Sequence, residues 1–417
     1  MKRKLFLGLA ALAALTITSC QKDLVINQVP DEQPIEFGTY VGRDAQTKAT
    51  SIDELDDMLT ANGGTGFGVF AYHTNGTFTD AATPNFMYNQ LVTGVKEGEG
   101  TGATYTWSYS PLKYWPNNTN DKVSFFAYAP YDAQTATEDS KVLELSDNTV
   151  AGTPTVTYYV KSDVSKHKDL LWANPVMNQS KQTITGNIKF AFNHALSRIG
   201  FKVQALVDQV NGDSNDGELN DATHTATAVA SETTIRVESV KLTGKFYEQG
   251  TLVYTLGTGS NPTYTAAFST LTVPANEWTI NLQNNSTEGQ YGNFTEVADN
   301  VTETATQLNN NDSYLMIIPQ DFTTTTGNKL KLEIVYTVTT TDSKLNEGKS
   351  TVTNTITTGE FNMPTGVSFE AGKAYNLVLH LGMTSVKLDA QVSSWSPTED
   401  GTDYSVNVPI NTVSANS

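Results

Sequence analysis

Leu330, Leu332, Ile334, Tyr336 and Val338 alternate with Lys331, Glu333, Val335 and Thr337, and a period of two recurs in short runs along most of the chain. Successive side chains of a strand point to opposite faces, so such a run commits its segment to a sheet with one dry face and one wet one. Further short apolar runs lie at Phe67 to Tyr72, Tyr105 to Tyr109, Val123 to Tyr128, Val156 to Val160, Ile188 to Phe192 and Ile199 to Val203. A second set covers Thr234 to Leu242, Leu252 to Tyr254, Trp278 to Leu282, Tyr314 to Ile318, Thr351 to Ile356 and Tyr375 to Leu381. Gly, Asn, Asp and Pro punctuate them, and strands this short at this spacing predict an all-β chain of sandwich type. Threonine supplies many of the outward positions. One helix is expected near residues 52 to 61. Ser51 and Glu54 form a capping box, Ile52, Leu55, Met58 and Leu59 share a face, and Gly63 ends it.

The N-terminus sets the compartment. Lys2, Arg3 and Lys4 precede an apolar run ending at Thr18, Ser19 and Cys20. This is the pattern of a signal peptide over residues 1–19, too short for a spanning helix. Cys20 is the sole cysteine, so no disulfide can form within the chain, and its position at the end of the leader predicts lipidation. Several acyl chains on one residue hold a protein stably on a membrane. Residues 20–34, polar with Pro30 and Pro34, read as a tether. Beyond it, length favours two domains, placed at 35–190 and 191–395, with a C-terminal tail at 396–417. Asn211 to Asp221, dense in Asn, Asp and Gly, reads as loop.

Composition and motif spacing exclude several chemistries. Lys and Arg number 26 against 44 Asp and Glu, a net charge of −18, which disfavours nucleic acid as a partner. His73, His167, His194, His224 and His380 are scattered, and no cysteine remains to complete a zinc site, so no metal is expected. Asp213, Asn215, Asp216 and Glu218 suggest a calcium loop, but the glycine and the closing glutamate are out of register. Asp56 and Asp57 belong to the wet face of the expected helix. Serine-nucleophile and phosphate-loop motifs are absent, so neither a catalytic residue nor a cofactor is expected. Trp107, Tyr109, Tyr114 and Trp115 could form a platform for a sugar, although an aromatic core cluster is the commoner use of such residues.

The order and spacing of several stretches resemble a known family. These are Ile35 to Phe37, Thr47 to Thr50, Gly66 to Tyr72, Lys113 to Pro116, Val123 to Tyr128, Asn193 to Phe201, Met316 to Gln320 and Ala371 to Tyr375. Together they are similar to the fimbrillins of Bacteroidetes, Mfa-like lipoprotein subunits of type V pili. The resemblance implies two transthyretin-like β-sandwich domains, a fimbrial location at the cell outer membrane or surface, and other pilin subunits as head-to-tail partners. It also implies a lipid anchor in the outer membrane and, for an adhesive subunit, a host or bacterial surface glycan or protein as target. In polymerising members, cleavage after a basic residue frees a groove for a neighbour's strand.

Both chain ends suit that scheme. Ile35 to Val41 is a short strand followed at once by Arg43 and Lys48, the candidate processing points. At the other end Tyr404, Val406, Val408 and Ile410 alternate with Ser405, Asn407, Pro409 and Asn411 and make a candidate donor strand, although Pro409 belongs on an edge. Val386, Leu388, Ala390 and Val392 form a second alternating run before Trp395, either a further donor segment hinged at Pro397 to Gly401 or a closing strand of the second domain. The alternative function is a monomeric surface glycan-binding lipoprotein using the Trp107 to Trp115 aromatics. The lipid assignment is tested directly: Cys20→Ala should abolish membrane attachment in cell fractionation, and normal maturation with retention in the membrane fraction would contradict it.

Overall fold

The computed structural model describes residues 32–39, 65–98, 104–184, 186–206, 233–258, 263–283, 297–298, 305–308, 314–323, 327–341, 348–382, 386–394, 402–406 and 410–416. The described chain is all-β. Its first half carries β1 (Phe37–Thr39), β2 (Phe67–Asn75), β3 (Met87–Glu97), β4 (Thr104–Ser108), β5 (Asp121–Ala129) and β6 (Leu143–Leu145). Next come β7 (Val156–Tyr159), β8 (Leu171–Ala173), β9 (Val176–Gln179), β10 (Ile188–Phe190) and β11 (Phe192–His194). The second half opens with β12 (Ser197–Leu206), β13 (Thr233–Gly244), β14 (Gln249–Leu256), β15 (Tyr264–Thr272), β16 (Trp278–Gln283), β17 (Val297–Ala298) and β18 (Thr306–Gln307). It ends with β19 (Leu315–Ile317), β20 (Leu330–Thr341), β21 (Lys349–Thr358), β22 (Lys373–Gly382), β23 (Val386–Ser394), β24 (Thr402–Val406) and β25 (Ile410–Asn416). The helix expected near residues 52 to 61 and the loop expected at Asn211 to Asp221 lie outside the described residues.

The second half is a sandwich of two sheets. One runs β18-β12-β22-β23-β24, with β19 also on β12, and the other runs β16-β13-β20-β21-β25, with β17 also on β13. Leu330, Leu332, Ile334, Tyr336 and Val338 are all buried between them, facing Ile199, Phe201, Leu377 and Leu379. The strict alternation thus sets the face of β20, because a one-residue slip would put all five into water.

The first half is built on a seven-stranded sheet ordered β11-β8-β5-β2-β3-β4, with β9 also on β5. Its central strands are apolar on both faces: Phe67 to Tyr72 and Val123 to Ala129 are buried without a break. Phe67, Val69, Val123, Phe125 and Ala127 enter one core with Ile35, Phe37, Ile188 and Phe190. Phe70, Tyr72, Phe126 and Tyr128 enter another, with Leu143, Val156, Tyr158, Leu252 and Ile318. Tyr128 lies so close over Gly68 that a Cβ there would stand 2.2 Å from its ring.

The second core joins the two halves. Its cover is a four-stranded sheet, β15-β14-β7-β6, so the hairpin β14–β15 belongs to the second half by sequence and to the first by hydrogen bonding. Val156 to Tyr159 pair with Gln249 to Leu252. His167 pins the same junction. Its Nδ1 accepts from the Met316 backbone N–H at 2.9 Å, so Nε2 carries the proton and donates to the Lys161 carbonyl at 2.6 Å. Burial lowers its pKa below the ordinary 6.5, against smaller opposing effects from Lys161 and Asp163.

That junction generates a signed pH dependence. With the folded value below the ordinary one, the unfolded chain takes up the proton first. The contribution of the neutral ring is complete above pH about 6.5 and is lost as pH falls from there through the folded value. Urea denaturation at a series of pH values should show a larger loss of stability on acidification for the natural chain than for His167→Gln. Parallel curves for the two proteins would contradict this role.

Candidate functional site

Residues 33–39 form a short extended plug between two parts of the first half. Its beginning is bonded to the loop after β4: Ile35 N–H donates to the Lys113 carbonyl at 2.9 Å, and Trp115 N–H donates to the Gln33 carbonyl at 3.0 Å. Its end is β1, parallel to β10 with Phe37 opposite Ile188 and Thr39 opposite Phe190. Ile188 N–H donates to the Glu36 carbonyl at 2.8 Å. The Tyr109 hydroxyl, kept protonated by burial, donates to the Ile35 carbonyl at 2.8 Å.

Two side chains do most of the anchoring. Ile35 is 0% exposed and Phe37 2%, while Glu36 between them is exposed. The Phe37 ring meets Tyr109 at 5.1 Å, Phe125 at 5.8 Å and Phe190 at 5.9 Å. Burying these two side chains is worth about 3 to 6 kcal/mol. Without residues 33–39 the apolar pocket would be open, the Trp115 and Ile188 N–H groups would lose their acceptors, and the Lys113 carbonyl would be left with the Tyr109 hydroxyl at 3.4 Å. Exposed strand edges of this kind invite another extended chain.

The sugar-platform residues line this groove. Trp115 is buried against Phe125 at 5.9 Å, Trp107 packs on Phe67 at 5.0 Å, and Tyr109 holds the plug. Only Tyr114 of the four is exposed, at 42%. Sequence reasoning missed Tyr109 as a plug contact and the Lys113 to Trp115 loop as a docking edge. The only local signal for them was their position in a cluster of aromatics.

The C-terminal alternation is divided by the fold. Tyr404 and Val406 lie in β24, antiparallel to β23 with Tyr404 opposite Ala390 and Val406 opposite Leu388. Ile410 opens β25, which pairs with β21 in the other sheet. Val408 lies outside the described residues. The division falls around Pro409, which cannot donate to a ladder. Both strands are outermost in their sheets, so one short terminal segment closes one edge of each sheet of the second sandwich. The run Val386 to Val392 lies in β23, an interior strand between β22 and β24. Cys20, Arg43, Lys48, His224, Asp56, Asp57 and the Asp213 to Glu218 cluster lie outside the described residues. Asp169 Oδ2 is hydrogen-bonded to His194 Nδ1 at 2.8 Å, and Asp121 Oδ2 lies 2.9 Å from His73 Nε2 without hydrogen-bond geometry.

This is an all-β subunit whose first strand plugs an apolar groove and whose last strands close sheet edges. Comparison with known proteins places it. The chain belongs to the fimbrillin-like family, whose model matches residues 47–395, so both edge-forming ends lie outside the matched range. It is 28% identical over 420 residues to the fimbrium subunit Fim1C of Phocaeicola vulgatus, covering 96% of this chain and 98% of that one. A crystal structure of a fimbrial protein from Bacteroides vulgatus has the same fold, with a TM-score of 0.57 and 24% identity, covering 87% of this chain and 99% of that chain.

The geometry of the plug makes Phe37 its most sensitive position. Phe37→Ala should cost about 3 to 5 kcal/mol in urea denaturation and increase binding of a hydrophobic dye under native conditions. A loss below about 1 kcal/mol with unchanged dye binding would show that the groove closes without the ring.

Proposed function

We propose that the chain is a structural subunit of a cell-surface fimbrium, exported as a lipoprotein on Cys20 and assembled by replacement of its first strand, with no turnover. The observation that carries this reading is the plug: a segment of seven residues, 33 to 39, with two buried side chains and few backbone bonds, followed in sequence by Arg43 and Lys48. Cleavage after either basic residue separates the plug from the rest of the chain. The groove it vacates has an unpaired edge on each side and an apolar floor, and an extended segment of another subunit satisfies both at once.

The donor is the C-terminal segment containing Tyr404, Val406, Val408 and Ile410. Its position supports the role, because β24 and β25 are outermost strands and can leave without splitting a sheet. Their departure uncovers β23 and β21, whose edges then need solvent or another partner, so donation is coupled to the groove being open. Donor and acceptor belong to different sheets, the donor to the second sandwich and the acceptor groove to the first half. Such a contact is heterologous, and its repetition gives a head-to-tail fibre instead of a closed dimer. Escape requires stripping a whole strand, so the polymer is kinetically stable. The lipid on Cys20 would hold the unprocessed subunit at the outer membrane, and cleavage would release it into the fibre.

Brief treatment with a trypsin-like protease should therefore cut first after Arg43 or Lys48, and cut protein should form oligomers on a sizing column. Arg43→Ala with Lys48→Ala should block both. A chain lacking residues 403–417 should fold and accept but not donate, so small amounts of it, cut and added to cut full-length protein, should shorten the oligomers. Cut protein that stays monomeric, or a deletion without effect on length, would overturn the reading.

A further inference from the structure

A second concave site lies where the two halves meet, away from the plug. It is a cleft of about 870 Å³ between β8 and β9, the β14–β15 hairpin and the loop preceding β22, within the volume range of small-ligand sites. Three rings form its walls: Phe78, Trp172 and Tyr264. Each is half-buried and braced from beneath, Phe78 by Tyr72 at 5.2 Å, Trp172 by Tyr254 at 5.9 Å and Tyr264 by Phe126 at 6.0 Å. They are rigid apolar surfaces whose remaining area borders the cleft.

Between the rings stand three carboxamides, Asn174, Asn178 and Asn193. Asn178 is fixed by an unusual backbone, φ +56°, and by accepting from Phe78 N–H at 2.6 Å through Oδ1. Asn193 Nδ2 donates to Asn174 Oδ1 at 3.4 Å. Among the described residues, Asn174 Nδ2, Asn178 Nδ2 and Asn193 Oδ1 keep hydrogen-bonding capacity, two donors and an acceptor on one cleft. Among the described residues, Lys373 is the one lining residue with a fixed charge.

We infer that this cleft binds a neutral saccharide unit, a hexose or N-acetylhexosamine at the end of a glycan. A pyranose has apolar C–H faces that pack on rings and a rim of hydroxyls that pair with carboxamides. A neutral ligand also fits a lining in which, among the described residues, one lysine is the only fixed charge, on a protein of net charge −18. A peptide would be read chiefly through backbone pairing. The unused groups in this cleft are instead side-chain amides, which match hydroxyls. This assignment does not depend on polymerisation, since the described lining residues all come from one chain.

The test uses the full chain on immobilised oligosaccharides ending in hexose, N-acetylhexosamine or a sialic or uronic acid, beside a panel of unstructured peptides. Tyr264→Ala and the isosteric Asn174→Asp, each checked by circular dichroism and thermal melting, supply the comparison. Binding to neutral-ended glycans should fall by about tenfold or more in both variants, with melting of Asn174→Asp unchanged. The inference is overturned by binding confined to acidic sugars or peptides, by binding that neither variant weakens, or by no binding to neutral-ended glycans at millimolar concentration.

Discussion

The hydrogen-bonded pair β2 and β5 governs the first half of the molecule. Its residues are buried on both faces, so neither face can be left to water, and two separate covers are required. One is the thin layer of Ile35, Phe37, Ile188 and Phe190. The other is the four-stranded sheet to which the second half of the chain contributes β14 and β15. The first cover is short and partly local to the N-terminus, whereas the second is wide and ties the halves together. The central pair is therefore covered by a wide sheet on one side and by a short layer on the other, the side on which the proposed replacement acts.

Replaceability follows from where the bonds lie. The plug is held by a few backbone bonds divided between the Lys113 to Trp115 loop and β10, and by two apolar side chains. An incoming strand can offer the same bonds in the same places, so exchange costs little once the covalent link is cut. The second sandwich is arranged to match. Its C-terminal strands occupy one edge of each sheet, and the interior pairs β12·β22 and β13·β20 do not involve them. Under the proposed strand replacement the body must survive while its ends move, and the core spanned by Ile199, Leu332 and Leu377 would provide that body.

The sequence made the strict alternations legible, above all Leu330 to Val338, because there the physical rule is local. It also marked Phe67 to Tyr72 and Val123 to Tyr128 as strands, but continuous apolar runs carry no information on which partner covers which face. The long β3 was missed because its alternate positions mix Tyr, Gln, Val and Gly, and β15 because Ala, Ser and Thr flatten its contrast. Pairing of β14 with β7 was not readable, since register between distant strands is set by packing and not by any local signal. Both chain ends could be picked out as short strands near edge-type residues, whereas the division of Tyr404 to Ile410 between two sheets was foreshadowed only by Pro409. The amide-lined cleft had no signature, since its residues come from five separate stretches.

Strand replacement predicts a specific pattern of amide protection in assembled material. Hydrogen exchange read by mass spectrometry should find the amides of Trp115 and Ile188 slow in fibres, as in the uncut monomer where Gln33 and Glu36 accept from them, although residues 33–39 are no longer present. Fibres in which the peptide spanning residues 33–39 is retained, with the same protection, would show that the groove was never vacated and would contradict the account.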